Sequence, residues 1–282
     1  MLGSNSAKAR RRRLLHLRTS GHDAIEHDNG SQGASSSEES LFAEDFFEMC
    51  GSQPPLNLVV EDELSGEERL FQIERPYAIV GRNERCDINL PGDDVSRRHV
   101  YIQVLNGGVI ACDLGSSTGT LWNGVTGKLG WLTDQQSIAV GHYRLRLPAD
   151  ADQLSETTRR LPTLRDEGDP SSEYAHPIYL DFANNRRGDS VWQVNRDLTL
   201  IGRSKACKLQ LSDPSISEVH AALVRTPAGA WIVDLLGRGG TFLDGESVNF
   251  ASLSDGQNLR VGIFRIVVRF EQPHSRGAHL SL

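Results

Sequence analysis

Three short stretches of the 282-residue chain hold side chains suited to gripping an anion. They are Gly81-Arg82, Ser96-Arg97-Arg98-His99, and Gly115-Ser116-Ser117-Thr118-Gly119, which follows Asp113-Leu114. Each lies at the edge of an alternating apolar run, where a strand gives way to a turn. Brought to one end of a fold, they supply guanidinium groups and several hydroxyls. Arginine offers a bidentate, charge-assisted fork, and hydroxyls and turn amides can fill the remaining acceptor positions, so the set suits a phosphate. A phosphate ester carries about −1.5 to −2 charge near neutrality, enough to act as the specificity handle of a short peptide.

Other chemistries fit less well. Ser96, His99 and Asp113 contain the residue types of a hydrolase triad, but no Gly-x-Ser-x-Gly elbow accompanies them. No His/Cys spacing supports a metal site, and no cofactor is expected. Gly237-Arg238-Gly239-Gly240 has neither the spacing nor the Lys-Ser/Thr ending of a nucleotide-binding loop. Trp131 and Trp231 read as packing residues rather than base-stacking platforms. Taken alone, Arg82 would be an ordinary solvated arginine.

An internal repeat changes that weighting. Gly81-Arg82 recurs as Gly202-Arg203, Ser96-x-x-His99 as Ser217-x-x-His220, Asp113-Leu114 as Asp234-Leu235, Gly119-Thr120 as Gly240-Thr241, and Gly141 as Gly262, always at the same spacing. Cys86/Cys207, Leu90/Leu211, Gly124/Gly245, Val140/Val261 and Tyr143/Phe264 keep it too. The period is far above that of stacked solenoid units, so the chain holds two whole domains. Their expected bounds are 56–148 and 177–271. A polar linker spans 149–176, a disordered tail, basic and then acidic, spans 1–55, and a short C-terminal tail spans 272–282. Within each unit, runs such as Val100-Tyr101-Ile102-Gln103-Val104 and Tyr143-Arg144-Leu145-Arg146-Leu147 alternate, and glycine turns separate them (Asn106-Gly107-Gly108, Asn123-Gly124, Asp244-Gly245). No 3.6-residue period is sustained in either unit. The expected fold class is all-β: two antiparallel β-sandwiches in tandem.

The order Gly-Arg, Ser-Arg-x-His, Asp-Leu-Gly-Ser-x-x-Gly-Thr, Asn-Gly and a late Val-Gly resembles the forkhead-associated (FHA) family. It covers nearly all of 77–147, and again 198–268. The resemblance implies a phosphothreonine-peptide-binding sandwich without catalytic activity. It implies that Arg82 and Ser96 contact the phosphate, that Arg97 and Ser117 add to it, and that Gly81, His99 and Gly119 support the loops. Thr118 stands where the family commonly has Asn to hold the peptide backbone, a longer side chain with more hydrogen bonds to give. The second unit keeps Arg203, Ser217 and His220. It places Glu218 opposite the position of Arg97, and Leu236-Gly237-Arg238-Gly239 where the hydroxyl-bearing turn should be. Arg203, Ser217 and Arg238 are therefore a divergent candidate site, expected to bind weakly or differently.

Composition bounds the rest. With a net charge of −7 and 38% hydrophobic residues, the chain reads as soluble, and its acidic balance argues against a surface devoted to nucleic acid. No apolar run is long enough to span a membrane. The start, Lys8 to Leu15, is basic but lacks the apolar core of a secretory signal peptide. Four scattered cysteines suggest reduced thiols and a cytoplasmic setting. The acidic segment after residue 20 carries one exception to its polar character, Leu41-Phe42-Ala43-Glu44-Asp45-Phe46-Phe47-Glu48-Met49. There Phe42, Phe46 and Met49 would share a helical face able to dock on a partner or on the first sandwich; the alternative is a disordered segment with incidental aromatics.

The leading functional expectation is a phosphothreonine-dependent adaptor downstream of a Ser/Thr kinase, with the first domain the main reader. Two linked modules could also gain avidity for doubly marked partners. Thr157 and Thr158 in the linker are candidate intramolecular phospho-ligands. The alternative is a DNA-binding regulator using the Arg10–Arg13 tail, with the sandwiches as accessory parts.

Overall fold

A computed structural model describes residues 32–133, 135–148, 177–182 and 190–270. The basic start of the chain, the linker threonines Thr157 and Thr158 and residues 272–282 lie outside the described residues.

The first unit is built from two sheets. One contains β1 (Leu56–Asp62), β2 (Glu68–Ile73), β7 (Thr120–Trp122), β8 (Val125–Gly127), β10 (Ser137–Val140) and β11 (Tyr143–Arg146), in the order β2-β1-β11-β10-β7-β8. The other contains β3 (Tyr77–Gly81), β4 (Ile88–Asn89), β5 (Val100–Leu105), β6 (Gly108–Asp113) and β9 (Leu129–Leu132), in the order β4-β3-β5-β6-β9. Pairing is antiparallel except between β3 and β4, where Val80 and Gly81 face Ile88 and Asn89 in parallel.

The second unit repeats this plan. Its five-stranded sheet joins β14 (Leu198–Gly202), β15 (Leu209–Gln210), β16 (Ala221–Thr226), β17 (Gly229–Asp234) and β20 (Phe250–Leu253). Its six-stranded sheet joins β12 (Ile178–Phe182), β13 (Ser190–Val194), β18 (Thr241–Leu243), β19 (Glu246–Ser247), β21 (Asn258–Val261) and β22 (Phe264–Arg269). Even the register carries over: Val100 pairs with Asp113 and Ala221 with Asp234. The all-β tandem architecture expected from the repeat is the observed one.

The simple alternation read along Val100–Val104 is incomplete, for every residue of β5, β6 and β16 is buried. An antiparallel strand with one solvated face should bury only alternate residues. Here both faces are covered, one by the strand's own sandwich and the other by the partner domain. In the second unit the division is clean: Ala221, Leu223, Ala230 and Ile232 enter the domain core, while Ala222, Val224, Trp231 and Val233 join the apolar cluster of the first domain. Opposite them in the first domain, Gln103 is fully buried yet satisfied. Its Nε2 donates to the Pro76 and Val104 carbonyls, and its Oε1 accepts from the Tyr101 hydroxyl.

Residues 32–49 fall in the segment read from sequence as a tail, yet they form α1 (Gln32–Met49), with Phe42, Phe46 and Met49 packed on the first sandwich as the helical-face reading allows. The correction has an apolar cause. Ala43, Phe46, Phe47 and Cys50 are buried, and Phe42 and Met49 pack against the same cluster. The Phe46 ring stacks on Trp231 at 4.4 Å between centroids and lies 6.3 Å from Tyr77, so one side chain touches both domains. Trp231 Nε1–H is directed at the Met49 sulfur, 2.9 Å away, and Tyr77 meets Phe250 edge-on. Polar bonds anchor both ends of β5 across the boundary. Before it, the Arg98 guanidinium donates to the carbonyls of Val219 and Leu235. After it, Asn106 Nδ2 donates to Asp197 at 3.2 Å.

Removing the Phe46 ring empties a position walled by both domains. Phe46→Ala is expected to cost about 3–5 kcal/mol, the usual range for deleting a buried aromatic. Denaturant unfolding of the full chain checks this, and an unchanged midpoint would contradict it.

Candidate functional site

The turns singled out in sequence meet at one end of the first sandwich, and backbone contacts hold them there. Gly81 ends β3 directly beneath the Ser96–Arg97 backbone. A Cβ at Gly81 would fall 2.5 Å from the Arg97 carbonyl oxygen, a separation no side chain tolerates. The close approach lets Arg82 N–H donate to the Ser96 carbonyl and Asn83 N–H to that of Arg97. Arg82 and Arg97 thereby leave adjacent backbones, and both are exposed.

His99 ties this pair of loops to the third. Its ring is fully buried, with Nδ1 accepting from Ser96 N–H at 3.1 Å and Nε2 lying 3.1 Å from the Gly119 carbonyl. That pattern requires the proton on Nε2, which donates to Gly119, in a neutral imidazole. Burial holds the His99 pKa below its ordinary value, favouring that form. His99 is a brace, with no free nitrogen for proton transfer.

Ser96 and Ser117 then converge. The Ser117 amide donates to Ser96 Oγ at 2.9 Å, and the two hydroxyl oxygens are 3.0 Å apart. Thr118 is partly committed, because its hydroxyl donates to the Asp94 carbonyl at 2.8 Å and keeps only its acceptor lone pairs. Asp113 shapes the turn from below. It accepts from the Gly115 and Ser116 amides, from the Ser116 and Thr120 hydroxyls, and from Lys128 Nζ at 2.8 Å. Burial alone would raise its pKa. The bonds from Lys128, Ser116 and Thr120 outweigh that and hold it below the ordinary value. The Ser96, His99 and Asp113 set is therefore structural: the carboxylate bonds its own turn and Lys128, while both imidazole nitrogens face backbone.

The second unit reproduces the frame and changes the contents. A Cβ at Gly202 would meet the Glu218 carbonyl oxygen at 2.2 Å, Ser217 N–H donates to His220 Nδ1, and His220 Nε2 lies 3.2 Å from the Gly240 carbonyl. The Arg238 amide donates to Ser217 Oγ at 2.8 Å, as that of Ser117 does to Ser96. The turn itself is tighter. At Gly237 a Cβ would lie 2.2 Å from the His220 ring, which excludes the serine found at Ser116. Leu236 takes the left-handed conformation that glycine takes at Gly115, at a strain of ~1 kcal/mol. Arg203 is occupied in part: its Nε donates to the Ile216 carbonyl at 3.3 Å, and the Glu218 carboxylate lies 3.9 Å from it.

Arg82, Ser96, Arg97 and Ser117 border a cleft of about 430 Å³, and the same cleft is bordered by Arg203, Ser217, Glu218 and Arg238. Among the described residues, no hydrogen bond or ion pair engages the guanidinium groups of Arg82, Arg97 or Arg238. Sequence reasoning missed Arg98, which faces the partner domain rather than solvent. Its counterpart in the repeat is Val219, and that loss of polarity across the repeat was the available signal.

The buried acid of the second unit behaves differently from Asp113. Asn249 stands where the first unit has Lys128, and burial pushes the Asp234 carboxyl up from 3.8 to about 6 despite its bond from Thr241. A carboxyl whose folded pKa exceeds its unfolded value leaves stability intact below the unfolded value. It subtracts from stability as pH rises through the folded one. The Asp234→Asn chain should thus gain thermal midpoint relative to the native chain as pH rises from about 4 to about 6. Paired melts across that window check this, and a constant difference would contradict it.

The FHA domain model matches at two places, residues 78–141 and 199–262. No curated protein matches the chain. Solved structures resemble single units of it. A Mycobacterium tuberculosis EmbR structure with a low-affinity phosphopeptide is 24% identical over 36% of this chain and 26% of that one, with a TM-score of 0.33. This chain thus spans about a quarter of EmbR. The FHA domain of the Chlamydia trachomatis CT664 protein is 20% identical over 33% of this chain and 96% of that one, with a TM-score of 0.32. The FHA domain of an Arabidopsis thaliana hypothetical protein is 21% identical over 40% and 100%, with a TM-score of 0.33. With the same motif set, the same strand order and a family match in each half, the chain is a tandem FHA-domain protein.

Proposed function

We propose that this protein is a phosphothreonine-dependent binding adaptor in Ser/Thr kinase signalling, not an enzyme, and that its first FHA domain is the main reader. The observation that carries the reading is the pair of unengaged guanidinium groups, Arg82 and Arg97, beside the coupled hydroxyls of Ser96 and Ser117 on one wall of a cleft. A dianionic phosphate there would receive bidentate forks from arginine and a hydroxyl donor, with turn backbone already held in place by His99 and Asp113. Thr118 would accept a peptide N–H through its remaining lone pairs.

The contrast between the halves supports the ranking. Arg203 shares its guanidinium with Ile216 and Glu218, and the hydroxyl of Ser117 is replaced by Arg238. A ligand at the second site alone would displace the Glu218 carboxylate or lie beside it, with like-charge repulsion. An upstream Ser/Thr kinase and a cytoplasmic location belong to the same proposal. The four free, buried cysteines agree with a reducing compartment. Phosphorylated Thr157 or Thr158 would be a competing intramolecular ligand.

Titration of phosphothreonine peptides against their unphosphorylated twins tests the reading, and equal affinity for both forms would overturn it. Arg82→Ala should lose ~2–5 kcal/mol of phosphopeptide binding, the range for removing one partner of a desolvated charge pair. Normal binding by that variant would remove Arg82 from the site.

A further inference from the structure

We infer that the two candidate phosphate sites are halves of one composite site, whose ligand is a single peptide segment carrying two phosphothreonines. This rests on the phosphopeptide reading and adds to it what the domain arrangement contributes. Two domains on a flexible tether would present separate sites, and a second phosphate would act only through effective concentration. Here Arg82 and Arg97 of one domain and Arg203 and Arg238 of the other border the same cleft.

The contact that closes the cleft is itself part of it. The Glu218 carboxylate of the second domain reaches the first domain's anion loop, where a Cβ at Gly115 would lie 3.2 Å from its Oε2. Arg98, on the cleft wall, donates to the carbonyls of Val219 and Leu235 and fixes the loops of both sites against each other. With Phe46 stacked on Trp231 behind them, the two walls share one apolar cluster, and their spacing is set by that packing and by the bonds of Arg98.

Charge then argues for more than one phosphate. Five arginines line the cleft against two carboxylates, Asp93 and Glu218. Arg98 is spent on carbonyls, and Glu218 offsets Arg203 in part. Arg82, Arg97 and Arg238 remain, drawn from both domains. One phosphate of about −1.5 to −2 charge held by Arg82 and Arg97 would leave Arg238, and the part of Arg203 that Glu218 does not offset, without an anion on the facing wall of the same cleft. A second phosphate on the same segment satisfies that wall, with Ser217 presented there by the Arg238 amide as Ser96 is by that of Ser117. The cleft volume of about 430 Å³ lies within the range of a pocket for one short ligand rather than two independent chains.

Calorimetric titration of the full chain with a peptide series tests this. The series holds one unphosphorylated, two singly phosphorylated and several doubly phosphorylated peptides that differ in the spacing of their phosphothreonines. The expected result is one peptide per chain, with an optimal spacing at which the doubly phosphorylated form binds roughly tenfold or more tighter than either single form. In the Arg203→Ala chain that advantage should vanish. Glu218→Gln should raise affinity for the doubly phosphorylated peptide, a gain that misfolding cannot mimic. Single-phosphate binding with no gain from a second phosphate at any spacing, or two peptides bound independently, would overturn the composite site and leave the single-domain reading standing. A doubly phosphorylated ligand that binds when neither single form does would keep the composite site and remove the first domain as a sufficient reader. Failure of every phosphopeptide would remove both.

Discussion

The back-to-back packing of the two five-stranded sheets is the constraint on which the rest of the molecule depends. Strands Val100–Leu105 and Ala221–Thr226 are buried on both faces, so neither domain can present its outer sheet face to water without exposing a continuous apolar surface. Phe46, Trp231, Tyr77 and Phe250 fill the space between, and α1 caps it. Burial of this kind is non-directional. The polar bonds of Arg98 and Asn106 at the two ends of the strand supply the direction, fixing how one sheet lies across the other. Because the loops of the two candidate sites sit at the ends of these same strands, the interface decides where those sites lie relative to each other.

Two halves with one frame have diverged through local chemistry. In the first, Lys128 keeps Asp113 ionised and able to organise a hydroxyl-rich turn. In the second, the lysine is gone and Asp234 holds its proton to about pH 6. The turn also closes down on His220 until only glycine fits at Gly237. Loss of the serines is thus coupled to tighter packing of the loop, and Arg238 returns a cation to a place where the first domain uses a hydroxyl. The frame residues, Gly81 with His99 and Gly202 with His220, are untouched because they work through backbone contacts that any functional variant of the turn still needs.

Much of this was legible in the sequence. The constant offset of the repeat carried the domain plan, and alternation carried the strands. The glycine at Gly81 and the histidine at His99 could be read as supports because each recurs with its neighbours. What escaped was whatever depends on the other domain. Val100–Val104 looked like a strand with one wet face, since Gln103 is polar, yet its amide is bonded internally and the wet face does not exist. Arg98 looked like one more loop cation beside Arg97. Gln32–Met49 lies in an acidic, serine-rich stretch that reads as a tail. The helical face of Leu41–Met49 is legible within it, but not that its aromatic residues pack against both domains at once. They are buried only because the domain boundary offers them a core.

In the function proposed for this protein, a phosphorylated threonine is held in the cleft between the loops of Arg82, Ser96 and Ser117. Amide chemical-shift mapping on the isotopically labelled chain addresses it most directly. Saturable shifts at the Arg82, Arg97 and Ser117 amides are expected with a phosphothreonine peptide, and none with its unphosphorylated twin. Shifts that appear with both peptides, or that map to the strand edges while these loops stay still, would contradict it.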